Sequence, residues 1–201
     1  MKIITFFLCC CFFLDGNAQS YKDSLQALRV VYSGELLDTS AKVLNQEEIN
    51  SLIGLKFFDI DSSFRIVGRF KKKVGRKFEM ATSTDRKPIY RAYGTVEFEL
   101  QGQLFSLTIY QNCSLIKQKE YKNYLFLPLR DVTSGQESYG GGRYLDLSIP
   151  ENNTIILDFN RLYNPYCVYS HRYSCPIPPK ENYISLPINA GEKVPIGHTN
   201  H

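Results

Sequence analysis

Residues 95–110 read T-V-E-F-E-L-Q-G-Q-L-F-S-L-T-I-Y, and their period decides the fold class. Val96, Phe98 and Leu100 alternate with Glu97 and Glu99; beyond Gln101-Gly102, Phe105, Leu107 and Ile109 alternate with Ser106 and Thr108. A period of two sends neighbouring side chains to opposite faces of a strand. Two such runs joined by a short glycine turn predict a hairpin. The same pattern recurs outward from it, in Phe64–Phe70, Phe78–Thr82, Tyr124–Leu127, Arg143–Leu147, Thr154–Phe159 and Tyr183–Ile188. Short strands with turn chemistry between them and no interleaved helices predict a mainly β fold, an antiparallel β-barrel or sandwich. A barrel suits so long a sheet slightly better, because closure removes exposed edges.

Helical signals precede the strands. In Tyr21–Leu37, Leu25, Leu28 and Tyr32 fall at helical spacing, with Val31 widening the stripe. A shorter helix is signalled by Asn45 as N-cap with Glu48 three residues on, an apolar face of Ile49, Leu52 and Ile53, and Gly54 at the C-cap. Residues 1–19 have the layout of a cleaved signal peptide: Lys2, an apolar Ile3–Leu14, then the small residues of Gly16-Asn17-Ala18. No small residue precedes Cys9, Cys10 or Cys11, so a lipoprotein box fits poorly. The expectation is export to the periplasm or medium with cleavage near Ala18 or Gln19, leaving residues 20–201 as a single β-rich domain. No later run is long and apolar enough to span a bilayer.

The formal charge of the chain is +4, and Lys2 and Asp15 cancel within the signal. So mild a balance argues against a nucleic-acid partner. The basic cluster Lys71-Lys72-Lys73, Arg76 and Lys77 surrounds Gly75 and reads as a solvated turn. Outside the signal, cysteine is confined to Cys113, Cys167 and Cys175. An oxidising destination then predicts a Cys167–Cys175 disulfide, stabilising by roughly 2.5 kcal/mol in the chain-entropy view. Cys113 reads as a buried small hydrophobe. Cys167, His171 and Cys175 also stand four apart, which raises zinc and a Cys-His nucleophile as alternatives. A fourth ligand is missing from the sequence, and a reduced thiol conflicts with export, so neither metal nor cofactor is expected. No Gly-x-Ser-x-Gly or His-Glu-x-x-His occurs.

Two segments carry polar residues beyond what folding demands. In residues 127–146, Arg130, Asp131, Glu137, Tyr139 and Arg143 crowd around Gly135 and the triple glycine 140–142. These glycines lead into a strand rather than a helix N-terminus, which argues against a phosphate loop. An Arg–carboxylate network bracing a hairpin and a polar ligand pocket are the alternatives. Asp158 and Asn160 join the candidates by sharing a face of the Thr154–Phe159 strand. The segment 158–182, with its prolines and paired cysteines, is expected to be a disulfide-pinned irregular tail packed beside the glycine-rich hairpin.

These segments resemble the bacterial family known as domain of unknown function 1684. The likeness is carried by Tyr124-Leu125-Phe126-Leu127-Pro128-Leu129-Arg130-Asp131, Thr133-Ser134-Gly135, Glu137, Tyr139-Gly140 and Gly142-Arg143-Tyr144-Leu145-Asp146. It continues in Asp158-Phe159-Asn160-Arg161, Tyr163-Asn164-Pro165, Cys167, Cys175-Pro176, Pro178-Pro179 and Glu181-Asn182. Weaker likeness reaches Gly54-Leu55, Asp61, Thr82-Ser83-Thr84 and Tyr90-Arg91; Tyr166 stands where a small residue or proline is expected. The resemblance implies the domain's extent and no particular reaction. Three functions follow as expectations: a module binding a small polar ligand, a hydrolase using Asp131, Glu137 or Asp158, or a non-catalytic envelope interaction protein.

Overall fold

The computed structural model describes residues 13–195, with side chains from residue 19. The expected signal segment lies outside the described residues as far as residue 12; residues 13–19 begin the helix α1 (Phe13–Leu37). A second helix, α2 (Gln46–Ser51), starts where its capping box predicts. The Asn45 side chain accepts from the Glu48 N–H and the Glu48 carboxylate from the Asn45 N–H, at 2.8 and 2.7 Å. The strands are β1 (Arg65–Lys72), β2 (Lys77–Glu79), β3 (Ile89–Leu100), β4 (Gln103–Asn112), β5 (Tyr124–Asp131), β6 (Arg143–Ser148), β7 (Thr154–Asp158) and β8 (Tyr183–Ile184).

The β3–β4 hairpin is the centre of the sheet. Its turn holds Gln101 at φ 49° and Gly102 at φ 77°, the left-handed pair that twists a two-residue turn to match its strands. Around it the strands run β6-β5-β4-β3-β1-β7, with β2 against β3 and β8 against β5. Every pairing is antiparallel except β5–β8, which is parallel. The expected mainly β, antiparallel fold with an N-terminal helix is found: the sheet curls into a half-barrel, open between its edge strands β6 and β7. The expected strand over 183–188 shortens to two residues because the chain then turns away to cross that opening.

The hollow of the curl holds the main core, with Val96, Phe98, Leu107, Ile109, Leu125, Leu127, Leu129, Leu157 and Phe159 all buried. Ile188 and Ala190 of the crossing tail are completely buried against it. The convex face is covered too. Met80, Tyr90, Tyr110, Phe126 and Tyr144 form a second buried cluster beneath the proline-rich segment. Two covered faces explain why β5 reads as an unbroken apolar run, Tyr-Leu-Phe-Leu-Pro-Leu, rather than as an alternation.

The predicted disulfide is absent. Cys167 and Cys175 are free thiols, with the Cys167 N–H donating to Cys175 Sγ at 3.3 Å. Backbone pairing does the pinning instead: Ser83 N–H donates to the Cys175 carbonyl at 2.9 Å, and Ile177 N–H to the Ala81 carbonyl at 2.8 Å. Held by this ladder on one side and by the aromatic cluster on the other, the segment needs no covalent tie to keep its place.

On α1, Leu25 and Leu36 are buried, and Leu28, Arg29 and Tyr32 continue their stripe. Val31 lies off it, 56 % exposed. The helix is fixed by polar contacts at several heights. Tyr21 donates to Asp158 Oδ1 at 2.8 Å, and Arg29 Nη1 to the Phe58 carbonyl at 2.9 Å, with the guanidinium 4.6 Å from the centre of the Phe57 ring.

Candidate functional site

The sequence-predicted residues fall into separate places. Arg143, wholly buried, pairs with Asp131 at 2.9 Å and donates to the carbonyls of Ile188, Ala190 and Glu192 at 2.9, 2.5 and 3.1 Å. Asp131 Oδ1 in turn accepts from the Thr133 N–H and hydroxyl and from the Ile188 N–H. This pair therefore grips the crossing tail, with nearly all its hydrogen-bonding capacity used inside the protein. Glu137 is exposed and meets Lys193 at 3.5 Å. Tyr139 lies beside Cys167, its phenol pushed up to about 12 by burial and by the neighbouring sulfur. Arg130 is half-buried on β5, its Nε without a hydrogen-bond partner among the described residues.

Asp158 and Asn160 stay together. Asn160 donates to Tyr21 Oη at 3.1 Å and to the Asp61 carbonyl at 2.7 Å, while Asp158 accepts from Tyr21. Of the seven predicted ligand-binding residues, Asn160 alone lines a hollow beneath α1 that is walled by aromatic rings.

That hollow is a cavity of about 440 Å³ between α1, the segment 160–166 and the convex face of β3, β5 and β6. Its helical side is Leu25, Leu28, Arg29 and Tyr32. Its sheet side is a chain of rings meeting edge to face or tilted: Tyr90–Phe126 at 5.8 Å, Phe126–Tyr144 at 4.8 Å, Tyr144–Tyr163 at 5.8 Å and Tyr163–Tyr32 at 6.5 Å between centroids. Such offsets bring the electropositive edge of one ring to the face of the next. Tyr124 and Tyr166 complete the aromatic lining.

Polar atoms in the wall are few. Tyr144 donates to the Pro176 carbonyl. Tyr124 and Tyr163 both donate to Asp146 Oδ1, at 2.7 and 2.8 Å. Burial and, next, the charge of Asp146 push both of these phenols well above the ordinary tyrosine range, so they act as neutral donors. Asp146 is exposed, and it is the one carboxylate among the described residues of the wall. Cys175 lies in the wall as well. A hydrogen bond with Cys167 and burial push its thiol up, whereas the same bond draws Cys167 down to about 7.

Sequence reasoning passed over Asp146 and the ring chain, although the signal was present. In β6 the pleat sends Arg143 and Leu145 toward the core and Tyr144 and Asp146 to the convex face. The run Arg143-Tyr144-Leu145-Asp146 contains both sets, with the buried arginine and the exposed acid on opposite faces of the strand. Among the described residues no group of three or more His, Cys, Asp or Glu side chains is placed to hold a metal ion. No helix of the described residues is long and apolar enough to cross a membrane.

Residues 50–193 match the model of a family described as "Protein of unknown function (DUF1684)". The solution NMR structure of an uncharacterized protein of Haloarcula marismortui superposes with a TM-score of 0.67 at 31 % identity, over 90 % of this chain and 97 % of that one. No curated protein matches the chain. The family match begins beyond α1, so the helical wall of the cavity lies outside it.

Proposed function

This chain belongs to the DUF1684 family, and from that premise we propose that it is a non-catalytic module that binds a small molecule in the aromatic cavity beneath α1. The observation carrying the proposal is the cavity itself. About 440 Å³ falls in the range of small-molecule sites. The wall is rich in aromatic rings, with a few polar atoms around Asp146.

Binding is favoured over hydrolysis by what the wall lacks among its described residues. Acid–base hydrolysis needs two groups whose protonation states differ, and Asp146 has no second carboxylate or histidine beside it there. The Cys175 thiol is pushed up and is a poor nucleophile. The predicted carboxylates Asp131, Glu137 and Asp158 sit outside the cavity.

Export belongs to the same proposal. Its support is the layout of residues 1–19. N-terminal sequencing of the protein from an extracytoplasmic fraction checks this, and a chain still beginning at Met1 there would overturn it.

Binding is tested by thermal shift with a library of monocyclic aromatic fragments on the wild type and on Leu28→Trp. Leu28 is half exposed toward the cavity, so an indole there fills space at little cost to the core. Fragments that raise the melting temperature of the wild type and leave Leu28→Trp unmoved are the expected result. Shifts of equal size in both proteins, or none in either, would overturn the reading.

A further inference from the structure

We infer that the ligand carries an organic cation, a substituted ammonium on an aromatic or aliphatic body, seated against the Asp146 carboxylate with tyrosine rings around it. This deepens the binding reading given above and rests on it.

The argument begins with what Asp146 lacks. Its Oδ1 accepts two phenolic protons, from Tyr124 and Tyr163, whereas Oδ2 receives no hydrogen bond from the described residues. Neither phenol carries charge, so the carboxylate is positioned but not neutralised. Ion pairs elsewhere in the described residues engage Glu48, Glu79, Glu97, Asp131 and Glu137; none engages Asp146. A fixed, unneutralised anion facing a hollow is complementary to a cation that arrives from outside.

The rings supply the second half of the recognition. Tyr124 and Tyr163, the two that hold Asp146, are themselves part of the wall, and Tyr163 stands in the T-shaped contact with Tyr144. The face of a phenol attracts cations, and does so best where water is thinned out. Because both hydroxyls donate to Asp146, neither has a proton left to donate to a ligand. The rings offer π-surface, which a bulky ammonium uses and an anion does not.

Neither of the wall's two arginines pairs with Asp146. Arg29 donates Nη1 to the Phe58 carbonyl and lies over the Phe57 ring, while its Nε and Nη2 have no hydrogen-bond partner among the described residues. Arg161 is exposed and forms no ion pair among the described residues. A bare metal ion is a poor fit, since a single carboxylate and phenols bound to it do not make a coordination shell.

Titration calorimetry of the full chain with benzyltrimethylammonium, and with its uncharged carbon isostere neopentylbenzene, separates charge from shape. The wild type is expected to bind the cation about tenfold more tightly than the isostere. In Asp146→Asn, whose amide oxygen still accepts both phenols, that preference is expected to disappear. Binding of both probes in Leu28→Trp should be lost. Equal affinity of the wild type for the two probes, with both blocked by Leu28→Trp, would overturn the cation and leave the cavity reading standing. A cation preference that survives in Asp146→Asn would overturn the role of Asp146. If neither probe binds saturably, both readings fall together. The comparison of two probes on the wild type needs no variant to fold.

Discussion

Burial pushes the Glu192 carboxyl up to about 7, even though the Asn164 N–H and the hydroxyls of Tyr169 and Tyr32 all donate to it. The consequence for stability has a definite sign. A carboxyl whose folded pKa lies above its unfolded value of 4.5 favours the folded state most below pH 4.5, where both states are protonated. That advantage is lost as the pH rises to about 7, by about 3 kcal/mol, and is flat beyond. Denaturant unfolding from pH 4.5 to 7.5 should show this decline in the wild type, and Glu192→Gln should remove most of it. An unchanged slope in the variant would mean that other groups set the pH dependence. Gly142 carries a different kind of constraint. At φ +93° a Cβ would lie 2.6 Å from the Leu129 carbonyl oxygen, so Gly142→Ala combines strain with a clash. A loss of about 2 kcal/mol or more is expected in the same assay. Cys167, held near 7 by its bond with Cys175, should be alkylated by iodoacetamide with a pH midpoint close to 7, read by peptide mass spectrometry.

At the scale of elements, what the sequence disclosed followed from how local each signal was. The hairpin at 101–102, the Asn45 capping box and the strand segments all rest on residues within a few positions of one another, and each is found, the last strand in shortened form. The expected disulfide rested on compartment and spacing, and the backbone ladder to residues 81–83 that replaces it joins segments some ninety residues apart, beyond the reach of a local pattern. The cavity was hidden for a related reason. It is assembled from α1, β3, β5, β6 and the segment 160–166, and its acid is distinguished from its buried neighbour only by the parity of a strand. The helix α1 was legible as a stripe, but not as the wall of a cavity. Its docking is predicted to be locally separable from the sheet. Leu25→Ala, at a position 3 % exposed, should lower the docking free energy by about 2–3 kcal/mol. Hydrogen exchange should then speed up in α1 while the β3–β5 amides keep their protection. Equal acceleration in both would show that helix and sheet unfold as one unit.

For the whole molecule, the half-barrel poses a problem that its tail solves. A sheet that curls without closing leaves β6 and β7 as open edges and its inner core exposed along one seam. The chain covers the seam with residues 186–192. They are tied by Val132 N–H to the Leu186 carbonyl, Glu192 N–H to the Leu162 carbonyl and, above all, by Arg143. Three carbonyls and the Asp131 carboxylate converge on one guanidinium, whose planar fork reaches several acceptors in a way that an ammonium on a flexible stem does not. Removing one member of a buried pair leaves the other unpaired, a loss of about 3–5 kcal/mol. Arg143→Met should therefore destabilise by that amount, and Arg143→Lys should recover less than half of it, because charge alone does not hold three carbonyls in place. Both variants are to be measured by chemical denaturation, with hydrogen exchange at Ile188 and Glu192 as the local readout. If Arg143→Lys is as stable as the wild type, the tail is held by hydrophobic burial of Ile188 and Ala190, and the fork geometry is dispensable. If exchange at Ile188 quickens in both variants before the sheet yields, the seam is the first part of the half-barrel to open, and the order in which the fold comes apart follows from one arginine.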